Sequence, residues 1–115
     1  MYEVAQSVFR KPPLRLNCAQ AVAHAWQVRL GGGSRLNEDL QDCGGGGAPG
    51  GLCGALHAAH RLTGEAGVRE EMTRRFAGVA GSPQCREIRR LGILPCEECV
   101  GLAAELLDPV ERLKE

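Results

Sequence analysis

The sequence predicts an all-α fold, a compact single-domain bundle of about five to six short helices with a glycine-rich loop, spanning residues 1–115. Three observations carry this reading. Apolar side chains recur at intervals of three and four along most of the chain, as a helix with one buried stripe requires. No segment alternates apolar and polar residues for long enough to read as a strand. Proline, glycine and serine punctuate the chain at short spacing, which keeps each element brief.

Taken in order, Val4, Val8 and Phe9 fit a short first helix that Pro12 and Pro13 end. Asn17 stands as an N-cap before Cys18 and Gln20, and Val22, Ala25 and Trp26 recur at helical spacing until Gly31, Gly32 and Gly33. Cys18, four residues before Val22, belongs to the buried face of this helix. Ser34 caps a short helix carrying Leu36 and Leu40, which leads into Cys43 and a loop from Gly44 to Gly51. A helix follows over about 52–62, with Leu52, Ala55, Leu56 and Ala59 on one side, and closes near Gly64 and Gly67. The next runs from about Val68 to Gly81 on the stripe Met72, Phe76 and Val79. Ser82 and Pro83 mark a restart, because serine caps free amides and proline is tolerated at the first helical position. Cys85 then falls in the first turn, with Ile88 and Leu91 on the buried side. Pro95 repeats the device before Cys96, Val100, Ala103, Leu107 and Val110, spaced i, i+4, i+7, i+11 and i+14, and Pro109 bends or ends that helix.

Aromatic residues make up only 3% of the chain, so Leu, Val and Ala must build the core. Small domains with thin cores often add a disulfide or metal staple, and six cysteines are present. With 14 basic and 14 acidic residues the net charge is zero, which excludes a broad field for gathering nucleic acid or anionic lipid. Arg86, Arg89 and Arg90 form the densest basic patch; Glu87 interrupts it, and it reads as a solvated helix face. Met1 to Arg15 lacks the apolar run of a signal peptide, and no segment approaches the roughly 20 apolar residues of a membrane helix. The expectation is a cytoplasmic protein without membrane insertion, a compartment where several cysteines more often mean metal binding or redox chemistry than structural disulfides.

Cys18, Cys53, Cys85 and Cys96 each fall at or near a predicted helix N-terminus. Unpaired amides and the helix dipole favour negative charge there, so a lowered thiolate pKa is expected, an environment that suits either a reactive thiol or a thiolate bound to iron. Cys96 and Cys99 form a single C-x-x-C pair, whereas structural zinc sites usually show two. Val100 follows the pair, so the haem-attachment signal is missing, and no βαβ pattern surrounds it as a thioredoxin-like motif requires. Cys53, His57 and His60 share a helix face and offer a three-ligand alternative, although two polar residues on an amphipathic helix explain the histidines more simply. The glycine loop lacks the Gly-Lys-Ser/Thr ending of a P-loop and follows no strand; it reads either as backbone whose amides point at an anionic cluster beside Cys53 or as a flexible linker. No catalytic acid and base pair and no serine triad can be assembled.

Asn17-Cys18-Ala19-Gln20-Ala21-Val22, the glycine loop with Cys53-Gly54-Ala55, Cys85-Arg86-Glu87, and Cys96 followed by Val100 and Ala103-Ala104-Glu105 together resemble the family of redox-active proteins named for its cysteine pattern, C_GCAxxG_C_C. The resemblance runs through nearly the whole chain. It implies four functional cysteines, here Cys18, Cys53, Cys85 and Cys96, in a helical redox domain; a similar domain accompanies haem-binding segments in split-Soret cytochromes, where an iron-sulfur site has been proposed. The chain departs from the pattern at Ala58, where the last glycine of CGAxxG is expected, and in carrying extra cysteines at 43 and 99.

The leading expectation is an electron-transfer or redox-sensing protein that binds an iron-sulfur cluster, 2Fe–2S or 4Fe–4S, through Cys18, Cys53, Cys85 and Cys96, with a redox partner protein. The alternatives are a metal-free thiol-disulfide protein and a structural zinc domain. Either redox reading requires the four cysteines to converge, with Cys99 bordering the site one turn beyond Cys96 and Cys43 reaching it from the loop.

Overall fold

The computed structural model describes residues 2–30, 40–44, 46–63 and 65–107. Within them lie six α-helices: α1 (Tyr2–Val8), α2 (Cys18–Leu30), α3 (Gly54–Thr63), α4 (Ala66–Ala80), α5 (Cys85–Leu91) and α6 (Cys96–Leu107), with one 3-10 turn at Pro49–Gly51. There is no strand among the described residues, only isolated bridges between Phe9 and Leu16 and between Leu52 and Gln84. The chain is a small all-α domain.

Helices α2, α3 and α6 pack against one another in the middle, α1 lies across α2 and α6, and α4 covers α3 and α6. The central position of α2 follows from its composition. Ala19, Ala21, Val22, Ala23 and Ala25 are all fully buried, and at 100° per residue they sweep more than half of the helix circumference. Small side chains let neighbouring backbones come close, so the core is alanine-rich with a few larger fillers: Phe76, Leu40, Leu56, Leu107, Val22 and Val100. Gly101 on α6 does the same for α1. A Cβ there would run into the Tyr2 ring, whose hydroxyl donates to Glu98, while Lys11 pairs with Glu97 at 2.7 Å. Both links hold the N-terminal segment against the start of α6.

The elements differ from the sequence reading in several places; Phe9 lies just beyond α1, in the bridge to Leu16. Helix α3 starts at Gly54, because Leu52 pairs in extended form with Gln84 and is therefore outside the helix. The stripe of α4 is Met72, Phe76 and Ala80, a strict i, i+4, i+8 row, and Val79 is half exposed. Helix α5 starts at Cys85 with Gln84 in the capping position; Ser82 Oγ accepts the Gln84 N–H at 3.0 Å in a turn that precedes the helix. Leu91 is 40% exposed, so α5 buries Ile88 alone. The expected Ser34-capped helix at Leu36, and Pro109 with Val110, lie outside the described residues.

Candidate functional site

Three helices begin on a cysteine and a fourth is capped by one: α2 at Cys18, α5 at Cys85, α6 at Cys96, and Cys53 immediately before α3, its carbonyl accepting the His57 N–H at 2.9 Å. Two of these starts are fixed by hydrogen bonds of different kinds, one local and one between distant segments. Asn17 and Gln20 form a reciprocal capping box at α2, with the Gln20 N–H donating to Asn17 Oδ1 at 2.7 Å and the Asn17 N–H to Gln20 Oε1 at 3.1 Å. Asn17 Nδ2 also donates to the Leu40 and Gln41 carbonyls, both at 2.9 Å, and so ties the segment before Cys43 to the start of α2. Between α3 and α5 the Cys53 N–H donates to the Pro83 carbonyl at 2.8 Å beside the Leu52–Gln84 bridge, which sets Cys53 next to Cys85.

One cavity is lined by Cys18, Cys53, Cys85, Cys96 and Cys99. None of the six cysteines is in a disulfide. The buried Gly54 makes the approach possible: a Cβ at this position would stand 2.6 Å from Cys18 Sγ, and it would also overlap the Cys43 carbonyl. Cys43 itself is buried but does not line the cavity. Phe9 and Ile88 close the site with apolar surface, while Arg10 and Arg89 supply its cations. The space between these groups is about 20 Å³, room for a single water.

The electrostatics run against the expected lowering of thiolate pKa. The Cys53 thiol is pushed up strongly, first by its hydrogen bond with Cys99 and then by burial, and the Leu56 and Ala55 amides at the start of α3 offset this only in part. Burial also pushes Cys85 up, with Arg89 pulling the other way. At Cys53 the interaction with Cys99 together with burial outweighs the amides of the helix start, and at Cys85 burial outweighs the pull of the nearby arginines. Arg89, set beside Cys85, Cys96 and Cys18, has its own pKa raised by these sulfurs, Cys85 foremost.

The Cys53, His57 and His60 alternative is not assembled. His60 Nε2 sits 2.8 Å from Thr73 Oγ1, whose hydroxyl donates to the Arg69 carbonyl, so the imidazole N–H points at Thr73 and joins α3 to α4. Burial lowers the pKa of both His57 and His60. Among the described residues no group of three or more His, Cys, Asp or Glu side chains is arranged to hold a single metal ion. No helix among them is long and apolar enough to cross a membrane.

Sequence reasoning passed over Arg10, Arg89, Phe9 and Ile88 as parts of this site. Arg89 was visible only as one member of a basic patch, and nothing local distinguishes it from Arg90, which pairs with Glu87 at 2.7 Å. Arg10 reaches the cavity where the chain loops round between α1 and α2 to a parallel bridge of Phe9 with Leu16, with positive φ at Arg10 and Arg15 and a Leu16 N–H to Val8 carbonyl bond of 3.0 Å. No family model, no curated protein and no solved structure matches this chain.

Proposed function

We propose that this protein is a redox module that holds an iron-sulfur cluster, 2Fe–2S or 4Fe–4S, through Cys18, Cys53, Cys85 and Cys96, for electron transfer or redox sensing with a partner protein. The observation that carries the reading is the gathering of these thiols, from positions far apart in sequence, around one cavity. Four thiolates are the usual ligand set for such a cluster.

The donor set fits in chemistry and in charge. Several thiolates in one partly buried site repel each other, and Arg10 with Arg89 offsets only part of that charge; a cationic iron-sulfide core offsets the rest. Since the cavity is one water in size, the cysteine side chains have to move apart to admit the core. When bound, the cluster supplies one-electron exchange. The chain's own groups orient the sulfurs from helix starts, exclude water with Phe9 and Ile88, and neutralise charge through Arg89. Thiol ligands of this kind suit the cytoplasm, where they stay reduced until metallated.

Anaerobic purification from iron-replete cells, followed by iron and sulfide analysis and visible absorption, tests the proposal. A stoichiometric brown protein is the expected result, and a colourless iron-free protein overturns it.

A second reading is favoured by Cys53 and Cys99 lining the same cavity, near enough for one thiol to raise the pKa of the other. In a metal-free thiol-disulfide protein these two thiols would be oxidised to a disulfide while a partner's disulfide is reduced to two thiols, so that atoms and electrons balance. Differential alkylation with mass spectrometry distinguishes it by a reversible loss of two hydrogens confined to this pair.

A further inference from the structure

A second cavity adjoins the cysteine site without belonging to it. It is an open cleft of about 530 Å³, within the roughly 300–1,000 Å³ range of small-molecule sites. One wall is the glycine loop at Gly46, Gly50 and Gly51, all with positive φ, so that side is bare backbone. The facing wall is the approach to α5 and its first turn, with Gln84, Cys85, Arg86 and Arg89. The Gln84 amide lies 2.7 and 3.1 Å from the Gly50 and Gly51 carbonyls once its nitrogen faces them, which ties the loop to the opposite wall.

The charge in this cleft is one-sided. Arg86 and Arg89 are three residues apart on α5 and therefore share a face. Arg86 is exposed, and among the described residues it makes no ion pair or side-chain hydrogen bond. The carboxylate nearest in sequence, Glu87, is taken by Arg90 through contacts of 2.7 and 3.1 Å. No Asp or Glu appears among the described residues that line the cleft. Arg89 also contacts Cys96 on the side of the cysteine site, but Arg86 has no such partner among the described residues, and two guanidinium groups opposite a wall of backbone recognise a tetrahedral oxyanion well because arginine bonds phosphate in a bidentate way.

We propose that this cleft binds a phosphate-bearing small molecule, with the phosphate held by Arg86 and Arg89 and the organic part filling the remaining volume toward the glycine loop. Cys85 and Arg89 line both cavities, so the bound molecule abuts the cysteine site. The inference stands on the cleft alone and does not depend on the cluster.

Equilibrium dialysis of the purified protein against radiolabelled inorganic phosphate, at an ionic strength fixed with sodium chloride, is the test. Saturable uptake of one phosphate per chain is expected. Arg86→Gln should weaken it at least about fivefold, Arg86→Lys should restore part of the loss, and Arg74→Gln on α4, outside the cleft, should leave it unchanged. No saturable uptake, or equal behaviour of the Arg86→Gln and Arg74→Gln proteins, overturns the proposal. Should Arg86→Gln lose its native circular dichroism, the rate of Cys85 alkylation by iodoacetamide in the unaltered protein decides: phosphate slows it if the cleft is the site, and an unchanged rate overturns the assignment.

Discussion

Gly54 and Cys53 sit side by side and make opposite demands on their surroundings. Gly54 is needed for what it lacks, since a methyl group would press on Cys18 Sγ and on the Cys43 backbone, and a carbonyl cannot rotate out of the way as a side chain can. Gly54→Ala is therefore expected to destabilise the protein by about 1–3 kcal/mol, the usual range for overpacking, read as a fall in the denaturant midpoint. Alanine is otherwise the better helix former, so an unchanged or higher midpoint would show that the approach is not tight. Cys53 is needed as a sulfur, but in the metal-free protein it is held as a thiol. Its folded-state pKa is raised above the unfolded value, so its contribution to stability is complete below the ordinary thiol pKa and is lost as pH rises past it. The metal-free protein should accordingly lose stability above about pH 9, and Cys53→Ala should flatten that slope in denaturant melts taken across the alkaline range.

At the scale of the element, the helix starts decide where the sulfurs stand. Asn17 accepts from one amide of α2, receives Gln20 in return, and donates to two carbonyls of the segment that leads to Cys43. Asn17→Ala removes the cap and leaves those carbonyls with one partner fewer, an expected cost of about 2 kcal/mol. It should also raise the alkylation rate of Cys18 in the native state, because fraying of the first turn exposes the residue at its beginning. Measuring that rate by mass spectrometry beside the loss of stability separates a local effect from global unfolding, in which Cys99 would become reactive in parallel. Helix α5 contributes differently. It buries only Ile88, and it is positioned by the Leu52–Gln84 bridge and the Cys53 to Pro83 hydrogen bond at its entrance.

For the whole molecule, the bundle brings residues from four helix starts around one cavity. If these residues form one ligand set, Cys18→Ser, Cys53→Ser, Cys85→Ser and Cys96→Ser should each remove at least about half of the bound iron and sulfide, since a missing thiolate leaves an incomplete set. Cys43→Ser should leave both unchanged, because Cys43 does not line the cavity. Equal loss in all five proteins would point to general destabilisation in place of ligation. The Cys99→Ser protein separates the two readings of the site: it retains the cluster if Cys99 is only a neighbour, and it abolishes the reversible disulfide if the pair with Cys53 is the working one.

The all-α class and the positions of the described helices were legible in the sequence because they depend on local chemistry: the apolar period, the Asn17 cap, and breaks at proline and glycine act within a few residues of themselves. The placement of Cys18, Cys53, Cys85 and Cys96 at helix starts was legible for the same reason. Contacts between distant segments were not. The Leu52–Gln84 bridge withdrew Leu52 from α3, and the packing of α4 chose Ala80 over Val79, both through partners far away in the chain. Arg10 and Arg89 joined the site, and Cys43 stayed outside it, by the path of the backbone in three dimensions. The thiol pKa values followed the same division. A helix start is a local property and favours the thiolate, but burial and the sulfur of Cys99 belong to the tertiary structure, and at Cys53 the desolvation and hydrogen bond that they impose outweigh the helix amides.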